Sequence, residues 1–559
     1  MKRMKKLISL LLIGTVVFST LSLTGCSSGK KDKPITLTVY SQRANYSGEQ
    51  AGWFAKVLLD KFNVKMNMVN DADGVFVTRM EAGNLGDIII FNNDSSDYLE
   101  AIDKGMLFDW NEDNLLTDYG SYIKDHLQKA LEKNMGLSPD GKLYGYGFGV
   151  ASNSQDHAST IYHPDVRFDL YKQLGFPKVS TLEDWVDVLA QMKEICPTSD
   201  NGHETYGVSL FNDWDGNMVM FVKATAALYG YEELGIGLYD VDNQTWQDCL
   251  ADGGMYLRCL KFYNQLFQKG LLDPDSMTQG ADGAGEDYVG GVAFFNIFNY
   301  AGSIQYNTPE HLKAGKAMYP VIMDDQKTLM SGLNVFGGSS VITIGAQTQY
   351  PELCMQIINW LSTPEGTMTN NYGPKGVTWD YDENGKTYLT DLGLKTVADG
   401  KTEMTGDYTG MFKDGVNTMN FQTWNIDASN PDSVGESYNY QSWASYNSTL
   451  NFDILNDWRQ YTGFTTQDEF IDSRNHSVAV GTSYSEGKRS DELEIQWTQV
   501  SKAICDYSWQ AIYAQNDDEF NKIVKEMKDA TAGYGYKEVC DFYLNEAAKR
   551  KALEDAVKN

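Results

Sequence analysis

Gly86-Asp87-Ile88-Ile89-Ile90-Phe91-Asn92-Asn93-Asp94 is the stretch that decides the fold. Its apolar residues run without alternation. A strand with one wet face alternates apolar and polar side chains, whereas a parallel strand covered by helices on both faces is apolar throughout. The run therefore reads as a buried parallel strand. It stops at three compact polar side chains, Asn92, Asn93 and Asp94. Ligands of open α/β sheets sit beyond the carboxyl ends of the strands, so these three are candidate ligand contacts. An amide can donate and accept, and a carboxylate can accept. The competing reading is local: Asp94 or Ser95 capping a following helix.

The surroundings carry the same alternation. Ile35 to Tyr40 has a strand pattern. Trp53 to Phe62 places Phe54, Leu58, Leu59 and Phe62 on one side of a helix, and Val64 to Val69 alternates again. Strand and helix in turn imply βαβ units and a parallel sheet, hence an α/β protein. The first strand ends in Ser41-Gln42-Arg43, which makes Arg43 a further candidate. Asp140 to Gly149 holds alternate glycines beside aromatics, a pattern for close backbone approach. It is not a phosphate cradle, because neither GxxxxGK[ST] nor GxGxxG opening a helix is present. Later helices are read at 181–195, with Thr181 as N-cap and Asp184 at N3, near 255–268, and at 351–361, where Pro351 occupies the first position. Strand character returns at 291–295 and 341–344. Residues 370–500 are rich in Gly, Asn and aromatics, and the last 60 residues return to amphipathic helices such as the one bearing Phe520, Ile523, Val524 and Met527.

The 559 residues suggest two or three domains. The chain opens with Lys2, Arg3, Lys5 and Lys6, then an apolar run from Leu7 to Phe18, then Leu23-Thr24-Gly25-Cys26. A basic start, a short apolar core and small residues at the cut mark an export signal. The run is shorter than the about 20 residues a spanning helix needs. Cys26 makes this start resemble a bacterial lipoprotein signal, in which that cysteine becomes the mature N-terminus and carries the lipid. Residues 27–34 then read as a flexible tether.

Four of the 46 basic residues and none of the 76 acidic ones precede Cys26, leaving 42 against 76, a net of −34. Nucleic acid and anionic membrane surfaces need clustered Lys and Arg, so neither is an expected partner. The six cysteines beyond Cys26 (196, 249, 259, 354, 505 and 540) are scattered among apolar residues without a CxxC pair, as buried free thiols are. No HExxH or His/Cys cluster points to zinc. Asp380-x-Asp382-x-Asn384-Gly385 with Asp391 copies a calcium-loop spacing. However, Thr387 replaces the usual aliphatic residue, flanking helices are missing from the pattern, and Asn384-Gly385 is a hairpin signal. A turn is the preferred reading, and no metal or cofactor is expected.

The order of these pieces resembles the extracellular solute-binding proteins of family 1 of ABC transporters, in the larger carbohydrate-binding lipoprotein branch. The pieces are Gly86-Asp87-Ile88-Ile89, Asp140-Gly141-Lys142-Leu143-Tyr144-Gly145, Leu182-Glu183-Asp184-Trp185, Pro351 to Gly366, and Tyr372-Gly373 to Thr390. Some relatives carry a calcium loop after the helix that here ends near Ile195, and Pro197 to Glu204 lacks its Asp/Asn spacing. The resemblance implies a two-lobed, periplasmic-binding-protein-like α/β fold of type II, with mixed or parallel sheets flanked by helices and a hinge between lobes. Residues 1–25 would be the signal peptide and 26–34 the tether. Residues 35–150 and 300–366 would form the first lobe, and 151–299 and 367–559 the second. It also implies a monomer tethered through Cys26 to the outer face of the cell membrane, binding an oligosaccharide between the lobes and delivering it to permease subunits.

Flat apolar rings can meet the C–H face of a sugar. Trp214 lies in a polar turn beside Asp213, Trp379 sits in the 372–390 hairpin, and Tyr300 follows Asn299 at a strand end. These five join the candidates, with Asn334 in a Gly-rich stretch, while Trp424 and Trp443 are weaker ones. Trp185 and Trp360, on amphipathic helices, read as core. Arg43 leaves a uronate open, because guanidinium holds carboxylate bidentately. Two other functions are weighed against this one. A surface glycosidase would need a carboxylate pair such as Asp213 and Asp215, and a peptide-binding lipoprotein would need a different opening segment.

Overall fold

The computed structural model describes residues 33–72 and 74–558, so the signal-like start and Cys26 lie outside the described residues. The chain adopts the expected α/β class: mixed sheets flanked by helices.

The Ile88–Phe91 strand lies inside a six-stranded sheet, and all four of its residues are buried. On one side it pairs parallel with Ile35–Ser41, which pairs parallel with Val64–Asn70. On the other side it pairs antiparallel with Val341–Ile344, which pairs with Gly145–Gly147. The entry to the central strand is held by side-chain chemistry. Asp87 accepts from the Thr38 backbone N–H at 2.7 Å and from the Thr348 hydroxyl at 2.7 Å. Gly86 has φ +139°, and an added Cβ would stand 3.0 Å from the Thr38 carbonyl oxygen. The glycines of the 140–149 patch do bring backbones together: a Cβ at Gly145 would lie 2.0 Å from the Ile342 carbonyl oxygen, and at Gly147 2.4 Å from that of Gly338.

Helix Gly52–Phe62 covers this sheet with Trp53, Phe54, Val57 and Leu58, and helix Pro351–Ser362 contributes Ile357, Ile358 and Trp360. The same core takes in Trp379, Phe412, Met419, Trp424, Tyr438 and Trp443. Trp53 stacks on Phe412 with ring centres 5.4 Å apart and donates to its carbonyl oxygen at 2.9 Å.

A second core lies around a three-stranded antiparallel sheet, Phe295–Phe298, Tyr162–Arg167 and Met318–Pro320. Helices Asp184–Ile195, Met255–Gln268, Asp491–Ile512 and Asp517–Gly533 enclose it with Trp185, Leu189, Phe262, Ile504, Ile512 and Met527. Trp458, Tyr319 and Met330 belong to this core as well. The strand expected at 291–295 forms four residues later, because Asn296 to Phe298 find their partners along Tyr162–Arg167, whereas Ala293 makes a single bridge with Tyr206.

The two cores correct the lobe boundaries read from the sequence. Residues 367 to about 446 pack with the first body, through Trp379, Trp424 and Trp443, and residues 300–330 pack with the second, through Tyr319, Val321 and Met330. The sequence reading failed here because apolar spacing shows that a segment is buried without showing against what.

Among the described residues three segments join the bodies. Residues 151–158 and 331–334 run antiparallel, with Ala151 N–H donating to Asn334 O at 3.0 Å, Leu333 N–H to Asp156 O at 2.8 Å and Ala158 N–H to Ser331 O at 2.9 Å. The buried Asp156 carboxylate ties the first of these to the neighbouring 429 loop, accepting from Ser152 N–H at 2.8 Å and from the Ser429 hydroxyl at 2.7 Å. The third segment, 447–452, is gripped by Arg459, which donates to the carbonyl oxygens of Asn447 and Leu450. Among the described residues no helix is long and apolar enough to cross a membrane.

Candidate functional site

Arg43 and Asn92 meet where the reading of the central strand placed them, at the carboxyl ends of Ile35–Ser41 and Ile88–Phe91. They line a cavity of about 600 Å³ on the first body, with Gln42, Phe148, Asn370, Asn417, Asn420, Phe421 and Gln422. The guanidinium lies 4.6 Å over the Phe148 ring. Its Nε–H donates to the Asn420 carbonyl oxygen at 2.8 Å, and Nη1 donates to the Ser340 hydroxyl at 2.8 Å. Asn420 answers with its Nδ2 on the Arg43 carbonyl oxygen at 2.9 Å. Its backbone is left-handed, φ +54°, a conformation uncommon outside glycine and best tolerated by Asn. Asn92 donates its N–H to Gln42 Oε1 at 2.9 Å, and its carbonyl oxygen takes the Ser340 hydroxyl at 2.8 Å. Gln422 Nε2 is buried without an acceptor among the described residues, a costly state for an amide.

Asn93 and Asp94 are held by partners within the protein, and neither Asp94 nor Ser95 caps the following helix with its side chain. Asn93 Oδ1 accepts from the Ser95 N–H at 3.0 Å, and Asp94 pairs with Lys133 at 3.0 Å.

Trp214 and Tyr300 meet on the second body. Their rings are 6.2 Å apart, and together with Tyr162, Lys223, Tyr231, Glu232, Glu233 and Leu329 they line a cavity of about 390 Å³. The Trp214 side chain is half in solvent, at 53% exposure, although large aromatics usually seek the interior. It is braced edge-on by Phe211 at 4.9 Å, as Tyr300 is backed by Phe298 at 4.9 Å. Burial pushes the Tyr300 hydroxyl up to about 12, so it stays neutral. The charges at this cavity are matched: Lys223 pairs with Glu233 at 2.8 Å, and Arg550 with Glu232.

Along the chain, both cavities adjoin the same two connections. The chain leaves the first at Phe148 and reaches the second at Ile161 and Tyr162; it leaves the second at Leu329 and returns to the first at Ser340, which holds Arg43.

Asn299 lines a separate cavity of about 430 Å³ beside the connections, with Thr160, Ser303 and Asn439. Asn334 serves the connection itself: its Oδ1 accepts from Phe336 N–H at 2.9 Å. Asp213 starts a helix, accepting from Ala281 N–H at 2.8 Å, while Asp215 accepts from Trp509 Nε1 at 2.7 Å and Met220 N–H at 2.9 Å. Burial raises the Asp215 pKa.

Trp379 is a correction. It is fully buried, donates to the Gly373 carbonyl oxygen at 2.7 Å and meets Tyr381 edge-on, so it has no free face for a ligand. Trp424 and Trp443 are likewise core, at 3% and 0% exposure. The 380–391 run is a hairpin: Trp379–Tyr381 pairs with Thr387–Leu389, and Asp382 Oδ1 accepts from Asn384 and Lys386 N–H at 2.8 Å each. The sequence reading missed Phe148, Asn420 and Ser340. Phe148 stood in the glycine patch that had already signalled close approach, while Asn420 and Ser340 lie in loops whose partners are set only by the fold.

No family model matches the chain. Lipoprotein LipO of Bacillus subtilis is 22% identical over 339 residues, 57% of this chain and 59% of that one, so the match spans about three-fifths of each. Among solved structures, an HMO-binding, ABC-transporter-associated solute-binding protein from Bifidobacterium longum infantis is 15% identical, covering 92% of this chain and 99% of its own with a TM-score of 0.48. The ABC-transporter substrate-binding protein FusA of S. pneumoniae, in complex with kestose, is 16% identical over 92% of this chain and 99% of its own, TM-score 0.47. At these scores the likeness carries no ligand over to this chain.

Proposed function

We propose that the chain is an extracellular solute-binding protein that captures an oligosaccharide between its two bodies and passes it, unaltered, to a membrane importer. The observation that carries this reading is a pair of cavities, one on each body, that adjoin the shared connections along the chain. One is walled by amides around a fixed guanidinium, and the other by a braced, half-exposed Trp beside a Tyr. Amide groups serve hydroxyls as donor and acceptor, and the rings serve apolar sugar faces. Paired connecting strands between two separate cores suit a hinge that closes around a ligand.

Binding without chemistry is the economical reading of the acids. Asp213 and Asp215, the pair a glycosidase would have used, are spent on a helix start and on Trp509. Attachment to the outer face of the membrane through Cys26 completes the proposal. The similarity to a protein named as a lipoprotein, at 22% identity, is in keeping with it. In this reading the protein works as a monomer, and permease subunits receive the closed form.

The test is a titration of the soluble chain, lacking residues 1–26, with neutral and acidic oligosaccharides and with peptides, followed by Trp fluorescence. Saturable binding of a glycan with no new reducing ends supports the proposal. Binding of peptides alone, or release of shorter sugars, overturns it.

A further inference from the structure

The first cavity carries one formal charge among its lining residues, and it is positive. That is unusual in a chain with 76 acidic residues against 46 basic ones. Arg43 forms none of the described ion pairs, although the neighbouring Lys133 is neutralised by Asp94 at 3.0 Å. A guanidinium has five N–H donors. Here Nε–H goes to Asn420 and one Nη1 hydrogen to Ser340, both at 2.8 Å. The second Nη1 hydrogen and both on Nη2 have no described acceptor, and together they make the end-on fork that matches a carboxylate. Stacking on Phe148 at 4.6 Å and the reciprocal bonds with Asn420 hold the group in place before any ligand arrives, which lowers the ordering cost of binding. A rigid cation without a counter-ion among the described residues, walled by Gln42, Asn92, Asn370, Asn417 and Gln422, is a place for one negative charge surrounded by hydroxyls.

We infer that the ligand is an acidic oligosaccharide whose uronate carboxylate is held by the Arg43 fork in the first cavity. The inference rests on the proposed glycan-binding function and narrows it. A single guanidinium balances a single charge, which favours a carboxylate over a phosphate dianion. The second cavity, where every charge is matched within the protein, takes a neutral ring against Trp214 and Tyr300.

The experiment is a glycan array of neutral, uronate-containing and sulfated oligosaccharides, followed by calorimetry on the hits. Uronate glycans should bind, and methyl esterification of the carboxylate should weaken binding tenfold or more against unmodified protein. Arg43→Gln should give a similar loss at unchanged Tm, and Arg43→Lys a smaller one, because charge remains and the fork is lost. Hits confined to neutral or to sulfated glycans, or ester and acid binding equally, would overturn the inference while leaving glycan binding standing. No glycan hit at all would remove the function itself. Since the ester comparison uses the native chain, a folding defect in the variants cannot imitate it.

Discussion

Two tryptophans that look alike in sequence have opposite roles. Trp214 and Trp379 each sit beside aspartates in turn-rich stretches, and both were read as ring platforms. Trp214 is half exposed and Trp379 is enclosed. Trp214→Ala should weaken glycan binding about tenfold with little change in Tm, at the upper end of the about 0.5–1.5 kcal/mol that aromatic contacts contribute beyond burial. Trp379→Ala should instead cost about 3–5 kcal/mol in urea unfolding, the usual range for emptying a buried aromatic site. A second residue-scale prediction concerns Asp287. Its carboxylate and that of the buried Asp273 share the Ser209 hydroxyl, and burial, with Asp273 beside it, lifts its pKa to about 6. The folded state then keeps this proton to higher pH than the unfolded chain, so the group lowers stability as pH rises from about 4 to 6. Asp287→Asn should raise stability at pH 7 by about 1 kcal/mol, a value discounted for partial exposure. The gain should vanish below pH 4, as thermal melts at the two pH values would show.

At the scale of elements, the Ile88–Phe91 strand was legible because burial on both faces leaves an unbroken apolar run, here short enough for a strand and bounded by a glycine and a polar cluster. The amphipathic helices were legible for the same reason of spacing. The 296–298 pairing and the placement of 367–446 were not, because register and partner choice depend on residues far away in the chain. Likewise Arg43 and Asn92 could be named from strand ends, whereas Asn420 and Ser340, which fix the guanidinium, arrive from positions 377 and 297 residues further on. The glycine patch gives an element-scale test. Gly145→Ala would press a methyl group to within 2.0 Å of the Ile342 carbonyl oxygen and force the edge strand away from Val341–Ile344. A loss of at least about 2 kcal/mol is expected, within the range of overpacked sites. Gly141→Ala, whose Cβ meets nothing, should cost less than that, although its φ of +70° still carries strain.

At the scale of the molecule, the two cores give the chain two bodies, and the connections give it an axis. The connecting strands are bonded to each other and to neighbouring loops through Asp156 and Arg459, so rotation should concentrate at their ends, where the pairing stops. Asp156→Ala would leave the Ser429 hydroxyl and the 152–153 amides without their acceptor, and should loosen the hinge. It should speed hydrogen exchange in residues 152–158 while leaving the Ile88–Phe91 strand protected. The most direct test of the central claim is small-angle scattering of the soluble chain with and without a saturating oligosaccharide that the array identifies. A clamp predicts a fall in the radius of gyration on binding, reversed when the sugar is removed intact. An unchanged radius at saturation would contradict capture between the bodies.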